Sequence, residues 1–404
     1  MKSITARSLM MLMALAGSSY SHAQQATIVV SNPTSTPRTE LISLNMSEVK
    51  AKLGNATPKK GEAYIVKNKR GQQIGSQITH DGLLLIDASV RPHGSATYYV
   101  SIGKPYQQKV YATGALYKIR KDDIAWENDR CAYRVYGPTL QKTGERSFGT
   151  DIWVKNTPDT VVYERYIKDM NGNIKGDKMD AKVRDILTSF HLDHGNGLDP
   201  YRVGATLGLG APSLMVGKNQ VLPYCYKNYK ILDNGPLRFT VELTYNPSTV
   251  GDMKNVVEHR IISLDKGSNF NKMTVWYDGL TTPTDFATGF PIHEEDTETK
   301  TFAKDYVSYA DPTDNVEVNN SQVFVGVLFP EGTDHTYYQL FDKKHDGATG
   351  HALGLKRGLK NLEKYSYYFG AAWSKYDVRS YAEWQIRIKD YLDALKNPLQ
   401  VEVK

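Results

Sequence analysis

Between Ser189 and Gly210 the chain reads SFHLDHGNGLDPYRVGATLGLG. Two His, two Asp, a Tyr and an Arg fall in the twelve residues from His191 to Arg202, between a strand-like run and a glycine-rich one. An imidazole presented beside a carboxylate or a phenol can exchange a proton with a sugar hydroxyl, a ring oxygen or an acidic C–H. Loops held on a rigid sheet are where such groups are usually placed. Asp193, His194, Asp199 and Tyr201 are therefore the candidate acid–base residues, and His191 a candidate substrate contact. His194 heads this set: it sits between Asp193 and Gly195, and an imidazole is the side chain that can both take up and release a proton near neutral pH. A hydrogen-bonded turn is the plainer use of the same residues. Metal chemistry fits poorly. His191 and His194 are three apart, which suits one face of a helix but opposite faces of a strand. The acidic run Asp169, Asn171, Asn173, Asp177 has Ile174 where a calcium loop needs Gly. No metal ligand set and no cofactor is expected.

A second polar stretch is WENDRCAYRVY, residues 126–136. Strand alternation predicts Trp126, Asn128, Arg130, Arg134 and Tyr136 on one face, with Cys131, Tyr133 and Val135 on the other. Two guanidiniums beside two aromatic rings suit a uronate carboxylate with its ring stacked alongside; an exposed, ion-paired face is the alternative. Further along, His293 adjoins Glu294 at the end of a strand-like run, and Trp373 and Lys375 follow the apolar run Tyr365 to Phe369. Either could line a sugar cleft, although a core Trp and a solvated His are common. The expected site is one concave pocket that joins Asp193, His194, Asp199 and Tyr201 to Arg130 or Arg134, with His293 as the next candidate. No nucleophile elbow, phosphate loop, dinucleotide fingerprint or H-E-x-x-H stretch is present.

The elements that must carry these residues are antiparallel strands. Asn-Gly occurs at 171, 196 and 234, and Asp-Gly at 81, 278 and 346, the strongest short-range hairpin signal. Leu237, Phe239, Val241, Leu243 and Tyr245 alternate with Arg238, Thr240, Glu242 and Thr244, so one face of that strand is dry and the other wet. Val323 to Phe329 is apolar on both faces and suits a central strand. One helix is predicted, over 380–395, from the capping box Ser380-x-x-Glu383 and the spacing of Tyr381, Trp384, Ile388, Tyr391, Leu392 and Leu395; Pro398 ends it, and a last strand could follow. The expected fold is all-β: a small N-terminal β-sandwich over 24–104, a linker at Lys104-Pro105, and a large antiparallel sandwich over 105–404 with that one helix packed on it.

Composition agrees with a β-rich globular protein. Of 404 residues 40% are hydrophobic and 11% aromatic, with 27 Tyr and 32 Gly, which excludes disordered, collagenous and coiled-coil classes. Lys2, Arg7, the apolar run from Leu9 to Gly17 and the Ser21-His22-Ala23 site mark residues 1–23 as an export signal, giving a periplasmic or secreted protein. Losing Lys2 and Arg7 takes the formal charge from +6 to +4. That is mild, and without a basic stripe no nucleic-acid partner is expected. No apolar run reaches the roughly 20 residues of a membrane span. Export permits a disulfide between Cys131 and Cys225, and the strand-like runs around them equally permit two buried thiols.

The stretches WENDRCAYRVYGP, FHLDHGNGLDPYRVGATLGLG, NGPLRFTVELTY and YYFGAAWSK resemble the secreted domain-of-unknown-function family 4861, from about residue 27 to the C-terminus. Cys131 stands where an aliphatic residue is expected. The resemblance implies a β-supersandwich related in shape to galactose mutarotases and some polysaccharide lyases, found alongside pectin- and uronate-degrading enzymes. It transfers no catalytic residue. The implied substrate is a uronic-acid-containing oligosaccharide. A lyase would neutralise the uronate with Arg130 or Arg134 and remove the C5 proton with His194 or Tyr201. A mutarotase or epimerase would pair His293 or His194 with a carboxylate. A non-catalytic glycan binder would use the aromatic and arginine face, Trp126, Arg130, Arg134 and Tyr136, for stacking alone.

Overall fold

The computed structural model describes residues 24–172, 178–222, 224–293, 299–312 and 320–404. Strands dominate, and every ladder between them is antiparallel. The N-terminal part is a two-sheet sandwich. One sheet runs Gln400–Val403, Ala26–Ser31, Ser95–Gly103, Ala63–Asn68; the other runs Arg38–Asn45, Leu83–Val90, Ser76–Ile78. Ile28, Val30, Ile86 and Val100 meet between them. The C-terminal strand Gln400–Val403 thus belongs to this sandwich and not to the 105–404 unit in which the sequence reading put it: Ile28 pairs with Val403 and Ser31 with Gln400. The open edge of Ala26–Ser31 decides this, because an edge strand offers unpaired backbone groups to any strand that reaches it.

The larger sandwich is built on a nine-stranded sheet. Its central order is Arg238–Tyr245, Met253–Asp265, Phe270–Asp278, Tyr365–Trp373, Val323–Leu328, Tyr306–Asp311. Two smaller sheets cover its inner face. One centres on Thr284–Ile292 and Ala348–Leu359, the other comprises Thr113–Tyr117, Asp123–Glu127, Cys131–Val135 and Thr150–Val154. Trp126, Phe239, Phe290, Phe369 and Trp373 share the resulting core. The alternation over 237–245 does what it predicts: Phe239, Val241 and Leu243 enter the core while Arg238, Glu242 and Thr244 stay on the outer face. Val323–Leu328 is covered on both sides, with Val325 in the main core and Phe324 and Leu328 beneath the C-terminal helix.

Hairpins close at Asp81-Gly82, Asn234-Gly235 and Asp346-Gly347. Asn171-Gly172 instead ends a helix, and Asp278-Gly279 marks the point where the chain leaves one sheet for the other. Besides the expected helix, Tyr381–Lys396, the structure has Met46–Lys52, Pro138–Gln141, Val162–Gly172 and Ala181–Thr188. These escape a periodicity search because they are short. Val162–Gly172 buries only Val162 and Tyr166 in its cluster, an i, i+4 pair. The acidic run at 169–177 begins inside this helix, and its later residues lie outside the described ones.

The segment 126–136 is a hairpin rather than one strand. The chain reverses at Asn128–Arg130, so Trp126 pairs with Tyr133 and Ala125 with Arg134. Because cross-strand partners share a face, Trp126 joins Tyr133 in the core while Arg134 points the other way, correcting the single-face expectation. Cys131 and Cys225 are both buried and unbridged.

The C-terminal helix is capped as expected. The Ser380 Oγ accepts from the Glu383 amide at 3.2 Å, and the Glu383 carboxylate accepts from the Arg379 amide at 2.7 Å. Trp384 is fully buried, donates its indole N–H to the Val325 carbonyl at 3.0 Å and stacks on Phe270 with centroids 5.1 Å apart. Trp384→Ala should therefore cost about 3–5 kcal/mol of unfolding free energy, by loss of the buried ring and the cavity left behind. Denaturant unfolding of both proteins checks this; a loss below about 1 kcal/mol would mean that the helix does not hold the sheet face.

Candidate functional site

The outer face of the strands Asp123–Glu127, Cys131–Val135 and Thr150–Val154 carries Asp123, Arg134, Asp151 and Trp153. Arg134 pairs in register with Ala125 and Asp151, which brings the guanidinium and the Asp151 carboxylate side by side. The Arg134 Nε donates to Asp151 at 2.6 Å and its Nη2 to Asp199 at 2.8 Å, while Asp123 stands 3.6 Å away. All four side chains are buried. Three carboxylates thus converge on one guanidinium in a place that water does not reach.

An aromatic cage closes around them. The Arg134 guanidinium carbon lies 4.9 Å from the Tyr136 ring centre, 5.4 Å from Trp153 and 5.5 Å from Phe190. Tyr166, from Val162–Gly172, packs against Trp153 and Phe190. Arg120 lies 5.4 Å over Phe190. His191 stands at the solvent side of the cluster, its ring nitrogen 3.1 Å from the Asp199 carbonyl oxygen and 3.8 Å from its carboxylate.

Five buried polar atoms here make no hydrogen bond among the described residues: Arg120 Nε, Trp153 Nε1 and Tyr166 OH, and Arg134 Nη1 and Asp123 Oδ2, which face each other as an ion pair 3.6 Å apart. The Tyr166 hydroxyl faces Arg134 without a well-formed hydrogen bond. Buried polar atoms left without a hydrogen bond cost stability and are few in native proteins, so five in one cluster set this place apart from the rest of the core. Burial pushes the Asp123 carboxyl up to about 6 against the opposing pull of Arg134. Burial, and next the Asp151 carboxylate, also raise Asp199 well above the usual carboxylate range. Carboxyl groups that hold a proton near neutral pH are suited to general acid–base work.

The loop that delivers Asp199 is fixed by close backbone contact. Val154 and Leu198 exchange backbone hydrogen bonds at 2.9 and 3.2 Å, and Gly208 bridges to Thr150. A Cβ on Gly197 would sit 2.0 Å from the Val154 carbonyl oxygen and one on Gly208 2.3 Å from that of Thr150, with φ values of 100° and 53°. Only glycine satisfies both conditions at these two points.

Of the sequence-derived candidates, Asp199, Arg134, Tyr136 and His191 come together. The others do not. Asp193 accepts from the Gly195 and Gly197 amides at 2.9 and 3.1 Å and lies 3.7 Å from Lys375, which in turn sits 5.2 Å over the Trp373 ring. The exposed His194 turns its Nε2 to the Ser189 carbonyl at 2.8 Å, so the loop Asp-His pair serves the turn itself. Tyr201 points away from Asp199 and meets His293 edge-on at 5.8 Å. His293 pairs with Asp311 at 2.8 Å and with the Arg202 carbonyl at 3.0 Å. Burial works against its positive charge, but the Asp311 charge and hydrogen bond outweigh it and raise the imidazole; Glu294 lies outside the described residues. Arg130 ion-pairs with Asp377, away from Arg134. Trp126 and Trp373 are core residues at 0% and 1% exposure, with indole N–H groups bonded to Asn271 and Asn320, and offer no surface to a sugar.

Arg120, Asp123, Asp151, Trp153, Tyr166 and Phe190 were missed by sequence reasoning. The alternation Asp151-Ile152-Trp153 was the available signal, but only the hairpin register aligns it with Arg134. Among the described residues no three His, Cys, Asp or Glu side chains converge as metal ligands, and no helix is long and apolar enough to cross a membrane.

These layers define an antiparallel β-sandwich protein with an appended N-terminal sandwich and a helical cover over a buried arginine–carboxylate cluster. The chain belongs to the family described as "Domain of unknown function (DUF4861)", which matches residues 30–401. The "Uncharacterized protein P7" of Formosa agariphila is 26% identical over 338 residues, 80% of this chain and 78% of that protein. Among solved structures, a protein in the glycosyl hydrolase family 38 from Enterococcus faecalis superposes with a TM-score of 0.50 at 9% identity, covering 94% of this chain and 47% of that one. An α-mannosidase from Enterococcus faecalis V583 gives 0.49 at 9% identity, covering 94% and 46%. The chain spans about half the length of these two proteins, and the likeness to the first is one of fold.

A raised carboxyl pKa ties stability to pH. Asp123 binds its proton more tightly in the folded than in the unfolded chain, so its contribution is complete below about pH 4 and fades as pH rises through about 6. A shift of about two units corresponds to roughly 3 kcal/mol. Asp123→Asn, which cannot titrate, should gain on the wild type in melting temperature between pH 4.5 and 7.5. Parallel melting curves across that range, with no narrowing of the difference, would refute the raised carboxyl.

Proposed function

We propose that the protein is an exported enzyme acting on uronic-acid-containing oligosaccharides by general acid–base chemistry of the β-elimination type. The observation that carries this reading is the set of five buried polar atoms without a hydrogen bond, arranged around carboxyls of raised pKa beside Arg134. Three of them outside the Arg134–Asp123 ion pair are donors, on Arg120, Trp153 and Tyr166, which suits a ligand rich in hydroxyl and carboxylate oxygens. The fold, which resembles part of a protein in the glycosyl hydrolase family 38, supports a carbohydrate substrate. The N-terminal sequence supports a periplasmic or secreted location.

In this reaction Arg120, whose Nε is unpaired, neutralises the uronate carboxylate beside Arg134, which acidifies the neighbouring C5 proton. His191, on the solvent side, takes that proton. The electron pair left on C5 forms the C4–C5 double bond as the C4–O bond breaks, and Asp199, held protonated by burial, gives its proton to the departing oxygen. Asp151 keeps Arg134 oriented. A guanidinium is the fitting partner because its planar fork matches a carboxylate.

The test is turnover of a panel of uronate oligosaccharides, read by the absorbance of unsaturated uronates and by product mass. Elimination leaves the summed product mass equal to that of the substrate. Asp199→Asn and His191→Ala should each lower turnover by a hundredfold or more, while melting temperatures stay close to wild type for the exposed His191. Products carrying one added water, or full turnover in Asp199→Asn, would overturn the mechanism. Binding with no turnover by the wild type would favour a non-catalytic glycan binder.

A further inference from the structure

Beside the part covered by the C-terminal helix, the outer face of the nine-stranded sheet is polar in ordered rows. Arg238–Tyr245, Met253–Asp265, Phe270–Asp278 and Tyr365–Trp373 lie side by side, and their registers align the outward residues. One row reads Thr240, Ser263, Lys272, Tyr368; the next reads Glu242, Ile261, Thr274, Ser366; a third reads Thr244, His259, Trp276. Hydroxyls face one another along them, Thr240 with Ser263 at 3.1 Å and Thr274 with Ser366 at 2.8 Å.

The first row, with Ile261 and Thr274 of the second, forms the floor of a cleft of about 810 Å³. The N-terminal sandwich makes one wall, with Arg38 and His80, and the C-terminal helix makes the other, with Arg387 and Tyr391. Clefts between domains are the common location of ligand sites. Most of its charges are already spent: Arg38 on Glu40, Arg238 on Asp265, Arg387 on Asp377. Lys272 has no ion-pair partner among the described residues and stands exposed in the middle of the floor. At the open end of the same face, the half-buried Trp276 ring lies parallel to His259, centroids 5.1 Å apart with 5° between planes, and the exposed Lys364 ammonium sits 5.0 Å over Trp276.

We propose that this face binds a chain of an acidic oligosaccharide, separately from the Arg134 cluster. Rows of paired hydroxyls can exchange partners with sugar hydroxyls. The Trp276 indole, held between His259 and Lys364, presents its outer edge as apolar contact for a sugar, and Lys272 and Lys364 supply positive charge along the contact. Successive rows are two residues apart on each strand, about 7 Å, so the three rows span about 14 Å, the reach of a short run of sugars. A charged chain is favoured over a neutral one because Lys272 is a cation on the cleft floor with no ion-pair partner among the described residues.

The acidic character of the ligand rests on the proposed function, and the experiment separates the two. Binding of a galacturonate hexamer and of its carboxyl-reduced, uncharged counterpart is measured by calorimetry on the full chain in the Asp199→Asn background, so that turnover does not enter. Trp276→Ala and Lys272→Ala should each weaken the acidic hexamer by roughly tenfold, about 1.4 kcal/mol, with unchanged melting temperature, and the reduced hexamer should bind more weakly than the acidic one. Both substitutions leave turnover of a disaccharide substrate at the wild-type level. Undiminished hexamer affinity in both variants, or no hexamer binding by the parent, would overturn the cleft. Absence of turnover on every uronate, with the affinity losses intact, would refute the catalytic reading and leave the cleft standing.

Discussion

The candidate site depends on one close approach, that of the glycine-rich segment after Asn196 to the edge of Thr150–Val154. Gly197 lies against the Val154 carbonyl and Gly208 against that of Thr150, at separations that leave no room for a side chain. Backbone hydrogen bonds between Leu198 and Val154 hold the contact. Asp199 is the next residue, and it has little choice but to reach Arg134. The register of the hairpin does the rest, because Arg134 and Asp151 are cross-strand partners. The site is therefore assembled by backbone geometry, and its side chains inherit their positions.

Burial then sets its chemistry. Removing carboxyls from water penalises their charged form, and a single guanidinium shared by three of them cannot restore it fully. Asp123 and Asp199 both move towards neutral pH for this reason. The helix Val162–Gly172 and Phe190 supply the cover that keeps water out. A lid of this kind both strengthens the electrostatics inside and leaves polar atoms such as the Trp153 indole N–H unanswered.

The same sandwich offers a second surface of different character. On its inner faces alternation delivers Phe239, Val241 and Leu243 to the core; on the outer face of the same strand it delivers Arg238, Thr240 and Glu242 to a cleft. The N-terminal sandwich, closed by the strand Gln400–Val403 from the far end of the chain, forms one wall of it. Tying the two termini into one sheet thereby also shapes the surface between the two sandwiches.

Local rules reach a long way in this sequence. Period-two patterning, Asp-Gly and Asn-Gly turns and a Ser380–Glu383 capping box were enough for an antiparallel sandwich with a C-terminal helix, because these signals act over a few residues. They also singled out Asp199, Arg134, Tyr136 and His191 by residue type. They failed where the answer lay in pairing between distant segments. A hairpin at Asn128–Arg130 put Trp126 and Arg134 on opposite faces, a turn took up Asp193 and His194, and Tyr201 went to His293 because neighbours two apart on this loop face different layers. Asp123, Asp151 and Trp153 carry no motif of their own. Strands, their faces and the types of group on offer are legible in the residues alone. The tertiary structure decided which of them meet and which carboxyls lose their water, since burial and register are properties of segments brought together from far apart in the chain.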